Sequence, residues 1–329
     1  MSKYAFGVDI GGTTVKMGLF DGEGNVLDKW EIPTVKDNNG ASILPDVARS
    51  IQAKLKEKGI REEELTGVGV GVPGPMNEEG TILGGAVNLG WGSFNIPEAL
   101  GAYIKVPVKA ANDANAAAFG EMWQGGGKGY DSLVAVTLGT GVGGGIIVRG
   151  RLLVGAFGAG GEIGHVHLED AETENCNCGN RGCLEAMSSG IAILRDLRGG
   201  LEKEPGHPLY EKREQLEIED VFEMVERKDL LIISLLNQSA FYMGVAVSNL
   251  INVLDPQRIV LGGILIQKYP RYFEIVQDVA NSYKVKGAKE TQMSMSGLKE
   301  NAGVVGAGEI VAEQFFNEMV NDLFTGSTQ

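Results

Sequence analysis

Two stretches, one in each half of the chain, repeat the same pattern of an apolar strand, a glycine turn and a second strand. In the first, Tyr4 to Ile10 runs into Gly11-Gly12-Thr13-Thr14 and resumes as Val15 to Phe20. In the second, Leu133 to Leu138 runs into Gly139-Thr140-Gly141-Val142-Gly143-Gly144 and resumes as Gly145 to Val148. One such hairpin is a common β-turn motif; two of them, each following a buried strand, suggest a duplicated pair of domains. Length agrees, since 329 residues fit two domains or one large α/β unit.

The intervening chain alternates strands with helices, which is the α/β pattern. A third strand is expected near Val26 to Ile32, a helix over Ser42 to Lys58 stopped by Gly59, and a strand from Thr66 to Val72 cut off by Pro73-Gly74-Pro75. A helix begins near Asn95 with Pro97 in its first turn, followed by a strand over Val106 to Ala110 and an alanine-rich helix from Ala114 to Trp123. Later helices are expected over Ala186 to Leu197, Ile218 to Glu226, Leu230 to Leu254, Tyr269 to Ser282 and Val304 to Met319, with strands at Arg258 to Leu261 and Gln292 to Met295. Thr325 to Gln329 reads as a disordered tail.

Charge narrows the partners. With 43 acidic against 29 basic residues the net charge is −14, which disfavours a nucleic-acid surface. No run of eighteen apolar residues stands out, and Met1-Ser2-Lys3 leads straight into an apolar strand instead of a signal peptide. A cytoplasmic protein without a membrane partner is therefore expected.

The densest chemistry lies between Gly161 and Ala186, which holds all three cysteines, Cys176, Cys178 and Cys183, together with His165 and His167. An odd number of thiols within a few residues suits a loop folded around one metal better than a disulfide. Three thiolates and one imidazole are the ligands of a closed tetrahedral zinc site. His165, which follows Glu162 in the compact GGEIGH turn, is the preferred fourth ligand, with His167 the alternative.

Glycine turns with threonines suit phosphate, because glycine lets backbone N–H groups approach an anion and hydroxyls add donors. Neither turn matches GxxxxGK[ST] or a dinucleotide fingerprint. Asp9, beside the first turn, is placed to hold Mg²⁺ against phosphates or simply to stabilise the turn. Asp113 sits at a strand end and helix start, where an N-cap and a base accepting an alcohol proton are equally supported. Glu162 and Glu185 flank the cysteine loop, and two carboxylates with an Asn and an Asp suit a polyol. A glycoside hydrolase would leave both phosphate-like turns without a role.

Taken together, DIGGTTVKMGLFD, NDANAAAFGE, TLGTGVGGG, GGEIGH and CNCGNRGCLE resemble the ROK family of sugar kinases and sugar-responsive repressors, and within it the bacterial ATP-dependent glucokinases. The resemblance runs in order from residue 4 to about residue 310. It implies the actin-like, hexokinase-type (ribonuclease H-like) ATPase fold, with a small domain over residues 1–112 that the C-terminal helix at about 304–329 rejoins. A large domain over 113–303 would carry the zinc loop 161–186. By match to the motifs, Asp113 would be the catalytic base, and Asn112, Glu162, His165 and Glu185 would bind sugar hydroxyls with it. Asp9, Gly11, Gly12, Thr13, Thr14 and Lys16 would form the first phosphate segment, and Thr137, Gly139, Thr140 and Gly141 the second. Gly262 and Gly263 would face adenosine, although Ile264 stands where a third glycine is usual. His165, Cys176, Cys178 and Cys183 would carry zinc. His165 would then serve metal and sugar with one ring nitrogen each.

The implied reaction is phosphorylation of glucose to glucose 6-phosphate with ATP and Mg²⁺, by a homodimer or homotetramer. Sugar choice would rest on residues around Gly74, Asn88 and the loop after Trp91, so N-acetylmannosamine, fructose, mannose or allose are alternatives. Polyphosphate is an alternative donor. The repressors of this family carry a helix-turn-helix ahead of the first phosphate segment, for which the position of Asp9 leaves no room.

Overall fold

The computed structural model describes residues 4–169, 175–288 and 290–311. Two five-stranded sheets form its framework. The first comprises β1 (Tyr4–Ile10), β2 (Thr14–Asp21), β3 (Val26–Pro33), β4 (Leu65–Val72) and β5 (Val108–Asn112), in the order β3-β2-β1-β4-β5. The second comprises β6 (Leu133–Leu138), β7 (Val142–Val148), β8 (Arg151–Leu152), β9 (Arg258–Gly263) and β10 (Gln292–Met295), in the order β10-β9-β6-β7-β8. Numbered from its own first strand, each sheet therefore has the order 3-2-1-4-5, the duplication expected from the paired glycine turns. β1 pairs antiparallel with β2 and parallel with β4, and β9 lies parallel to both β6 and β10.

The chain divides into two units. Residues 1–129, 145–161 and 300–329 make the first, and 130–144 and 162–299 the second, so the division runs through β7. The boundary expected at residue 112 falls inside the first unit, because the helix that follows packs on β4 and β5.

In the first unit, strand alternation sends Phe6, Val8, Val68 and Val70 to one face, where they form a core with Ile43, Val47 and Ile51 of α2 (Ile43–Lys58). Leu100 of α3 (Ile96–Gly101) joins the same core, and one turn, α1 (Asp37–Gly40), precedes α2. The opposite face carries a row of glycines, Gly18, Gly7 and Gly69, in register across β2, β1 and β4. Those glycines let helix 302–311 lie directly on the sheet backbone: a Cβ at Gly69 would stand 1.6 Å from the Ala307 carbonyl oxygen. The same helix meets α4 (Asp113–Gln124) just as closely, with a Cβ at Gly306 falling 1.6 Å from the Ala116 carbonyl oxygen.

Helices dominate the second unit: α5 (Leu184–Ser188), α6 (Gly190–Leu201), α7 (Ile218–Glu226), α8 (Leu230–Leu254), α9 (Ile264–Lys268) and α10 (Pro270–Tyr283). By length and composition α8 is long and apolar enough to cross a membrane, although Ser234, Asn237, Gln238 and Ser239 interrupt its apolar run. It packs instead against α10, α5, α6 and α7, burying Leu236, Ala240, Met243 and Val247.

Several boundaries depart from the sequence-based expectation. The single helix expected over Ala186 to Leu197 is two, broken at Ser189, whose ψ of 164° is extended and whose side chain caps α6. β5 starts at Val108 because Pro107 has no N–H to give the ladder. β7 begins at Val142 rather than Gly145, directly after the turn, and α9 precedes the expected Tyr269 helix. The last helix begins at residue 302; its expected run beyond 311 and the Thr325 to Gln329 tail lie outside the described residues.

Candidate active site

The carboxyl ends of β1, β4 and β5 gather the first unit's candidate residues. Asp9 on β1 is level with Gly71 on β4, and Gly71 with Ala111 on β5, one residue before Asn112. Gly71 lies beside both acids: a Cβ there would sit in ordinary contact, 3.8 Å from Asp9 Oδ1 and 3.7 Å from the Asp113 Cα. Gly303, in the last helix, closes on Asp9 from another side, where a Cβ would stand 2.6 Å from Oδ2. Gly303 was not singled out by sequence, since nothing local marks a glycine that makes room for a distant carboxylate.

Burial, aided by repulsion from Asp113, pushes the Asp9 carboxyl up to about 6 against the attraction of Lys16. Lys16 pairs with Asp9 across β1 and β2, and its Nζ donates to the Glu300 carbonyl at 3.2 Å. Burial likewise raises Asp113, opposed by the backbone N–H of Ala114, which donates to its Oδ1 at 2.8 Å. Two neighbouring acids both driven toward neutrality do nothing for stability, and such placement is common where a cation or a proton transfer is served.

The cap question at Asp113 has a plain geometric answer. Asn112 is the N-cap of α4, its Oδ1 accepting from Ala114 N at 3.0 Å and Asn115 N at 3.2 Å. Asp113 is the first helical residue, and Asn112 Nδ2 donates to the Gly74 carbonyl at 3.0 Å, tying Gly74 to the same corner. Asn115 Oδ1 is buried with no hydrogen-bond partner among the described residues, a cost of about 1–3 kcal/mol. Within the first turn, Gly11 N donates to Thr14 O at 3.0 Å, and a Cβ at Gly12 would lie 3.9 Å from the Asn88 Cβ. The structure thus collects Asp9, Gly12, Lys16, Gly74, Asn88, Asn112 and Asp113 in one unit. A cavity of about 500 Å³ in that unit, lined by Leu44, Trp91, Phe94 and Tyr103 among others, contains none of them.

In the second unit, Thr137 is exposed at the end of β6, and Gly139 N donates to Gly141 O at 3.0 Å to close the turn. Gly263 ends β9 at φ 103°, against Leu138, where a Cβ would fall 1.9 Å from the carbonyl oxygen; side chains are excluded there on packing grounds alone. Gly262 precedes it in β9, and Ile264 opens α9.

Beside that turn the ligand atoms of His165, Cys176, Cys178 and Cys183 lie within 4.8 Å of one another. Cys178 Sγ and Cys183 Sγ are 3.7 Å apart, and Cys176 Sγ is 3.5 Å from His165 Nδ1. With Zn–S about 2.3 Å and Zn–N about 2.0–2.1 Å, a tetrahedron has edges of about 3.5 to 3.8 Å, which these two separations match. Burial pushes the Cys183 thiol up to about 12, so it stays a neutral thiol unless a cation beside it stabilises the thiolate. His167 turns away, its Nδ1 2.9 Å from the Arg181 carbonyl oxygen. His165 presents Nδ1 to the thiols and Nε2, 3.8 Å from Glu162 Oε2, to the other side. Glu185 Oε2 accepts the N–H of Val142 at 3.0 Å, a contact with no sequence signal.

The family model described as "ROK family" matches residues 5–314. A glucokinase of Halalkalibacterium halodurans is 36% identical over 95% of this chain and 96% of its own length. Among solved structures, a ROK hexokinase from Thermus thermophilus is similar with a TM-score of 0.81, at 31% identity over 96% of this chain and 99% of that one. A ROK family glucokinase from Streptomyces griseus, solved in complex with glucose and AMPPNP, has a TM-score of 0.76 at 27% identity over 93% of this chain and 98% of its own.

Proposed function

The chain belongs to the ROK family, and on that premise we propose that it is an ATP-dependent glucokinase, transferring the γ-phosphoryl group of ATP to the 6-hydroxyl of glucose. The observation that carries the chemistry is Asp113: a carboxylate at a helix start whose capping duty is taken by Asn112. A base for an alcohol must accept a proton as the oxygen attacks, and a pKa raised by burial makes it a better acceptor. As the sugar oxygen bonds to phosphorus, the bond to the β–γ bridging oxygen breaks, ADP leaves, and the hydroxyl proton passes to Asp113.

Glu162, His165 and Glu185 are assigned to the sugar hydroxyls together with Asn112, with Gly74 and Asn88 shaping sugar choice. The turns Gly11–Thr14 and Gly139–Gly141, with Lys16 and Thr137, are assigned to phosphate, and Gly262 and Gly263 to adenosine. Asp9 is the residue to hold Mg²⁺, which would supply charge neutralisation on the phosphates. The His165, Cys176, Cys178 and Cys183 cluster is assigned to zinc in a structural role. Bound there, the ion would hold Glu162 and Glu185 in place and leave His165 Nε2 protonated for a sugar oxygen. ATP and glucose place the enzyme in the cytoplasm.

Two measurements test this. Asp113→Asn should bind glucose normally and lose about 10²–10⁴ in kcat, and a near wild-type kcat would refute the assignment. A hexose panel with ATP, and with polyphosphate in its place, should give the highest kcat/KM for glucose with ATP.

A further inference from the structure

Glu185 is assigned to sugar, yet part of its bonding capacity is already committed within the second unit. Its Oε2 accepts the N–H of Val142 at 3.0 Å, and Val142 is the residue immediately after the phosphate turn Gly139–Gly141. A Cβ at Gly141 would stand 2.4 Å from the same oxygen, so turn and carboxylate touch with nothing between them. A few residues later the chain meets the turn again. Gly190 N, at the start of α6, donates to the Gly139 carbonyl at 2.9 Å, and a Cβ at Gly190 would come 2.9 Å from that oxygen. The turn is therefore held at both ends by residues 185–190.

That segment is itself anchored. Ser188 Oγ donates to the Ser239 carbonyl at 3.0 Å, and the Ser239 hydroxyl lies 2.8 Å from the hydroxyl of Tyr272. All three residues are buried, on α5, α8 and α10. Ser189 adds the cap of α6, accepting from Ala192 N at 3.1 Å.

We infer that the α5–α6 junction, Glu185 to Gly190, couples the sugar subsite to the second phosphate turn, so that each ligand binds more tightly when the other is present. The inference rests on the kinase reading. A carboxylate offers about four acceptor positions, so Glu185 can take a sugar hydroxyl while keeping the Val142 N–H on Oε2 and the Cys176 Sγ contact at 3.7 Å on Oε1. A hydroxyl bound there fixes the carboxylate, the carboxylate fixes the amide that ends the turn, and linkage requires the same factor in the reverse direction. Gly190, Ser188 and Ser239 act as positioning residues, since none of them is assigned to a ligand.

Titration calorimetry with glucose and AMPPNP, each alone and with the other saturating, tests it. In the wild type, glucose should lower the AMPPNP Kd by about fivefold or more. Gly190→Ala, which displaces the Gly139 carbonyl, should bring that ratio close to one while the glucose Kd measured alone stays within about twofold. Should that variant fold poorly, Gly141→Ala serves instead: a substitution in the phosphate turn that should weaken glucose alone by about tenfold, by displacing the Glu185 carboxylate. Binding of glucose to the wild type with an unchanged AMPPNP Kd overturns the inference, as does Gly141→Ala with the wild-type glucose Kd. Absence of any glucose binding by the wild type would instead count against the kinase reading itself.

Discussion

Asp9 carries a cost that can be measured apart from catalysis. Its carboxyl is raised from 3.8 to about 6, first by burial and then by Asp113. Below pH 3.8 it is protonated both folded and unfolded. Between 3.8 and about 6 the unfolded chain has lost the proton that the folded chain keeps, so stability falls as pH rises through that window, and above it the full penalty persists. At about 1.4 kcal/mol per pH unit the penalty at neutral pH is about 3 kcal/mol, reduced in practice by relaxation of the site. Asp9→Asn removes the charge at nearly constant shape. Urea unfolding should therefore show the variant more stable than wild type by about 1–3 kcal/mol at about pH 7.5, with the advantage down to about a third at about pH 4.5 and gone by about pH 3, while phosphoryl transfer is lost. A variant less stable than wild type at the higher pH, or a difference independent of pH, would refute the reasoning.

Three further outcomes are expected. The acid limb of kcat/KM should lie above the ordinary carboxylate range, because Asp113 must be ionised to accept a proton and burial raises it; a profile flat down to about pH 4.5 would contradict this. Cys183→Ser should lose bound zinc in metal analysis and raise the glucose KM steeply, and a zinc-free preparation with normal kinetics would remove the metal from the argument. Gly306→Ala separates propensity from packing. Alanine gains about 1 kcal/mol in an exposed helix, but here its Cβ would lie 1.6 Å from the Ala116 carbonyl oxygen, so thermal unfolding should show a loss of about 3 kcal/mol or more.

Much of the fold was legible because its signals are local. The apolar run Tyr4–Ile10, the stop at Gly59 and the helix start near Asn95 with Pro97 in its first turn each depend on residues within one or two turns of chain, and all three are found as expected. The cysteine spacing likewise limited the candidate metal ligands to one short segment. Adjacent residues left the division of labour between Asn112 and Asp113 open, since either side chain suits a helix start. Only the folded corner, with Asn112 bonded to both α4 and Gly74, makes Asn112 the N-cap and Asp113 the first helical residue.

The sequence by itself determined which residues can do chemistry: two carboxylates at strand ends, two glycine turns and a thiol cluster. Tertiary structure decided what surrounds them. Gly303 is an ordinary glycine in sequence, yet the fold brings it against Asp9 from almost three hundred residues away, where a Cβ would stand 2.6 Å from Oδ2. Val142 and Gly190 likewise gain meaning only where Glu185 and the Gly139 carbonyl are brought against them. The physical reason is that burial, hydrogen-bond partners and pKa depend on which distant atoms exclude water from a group, and a linear pattern does not record them.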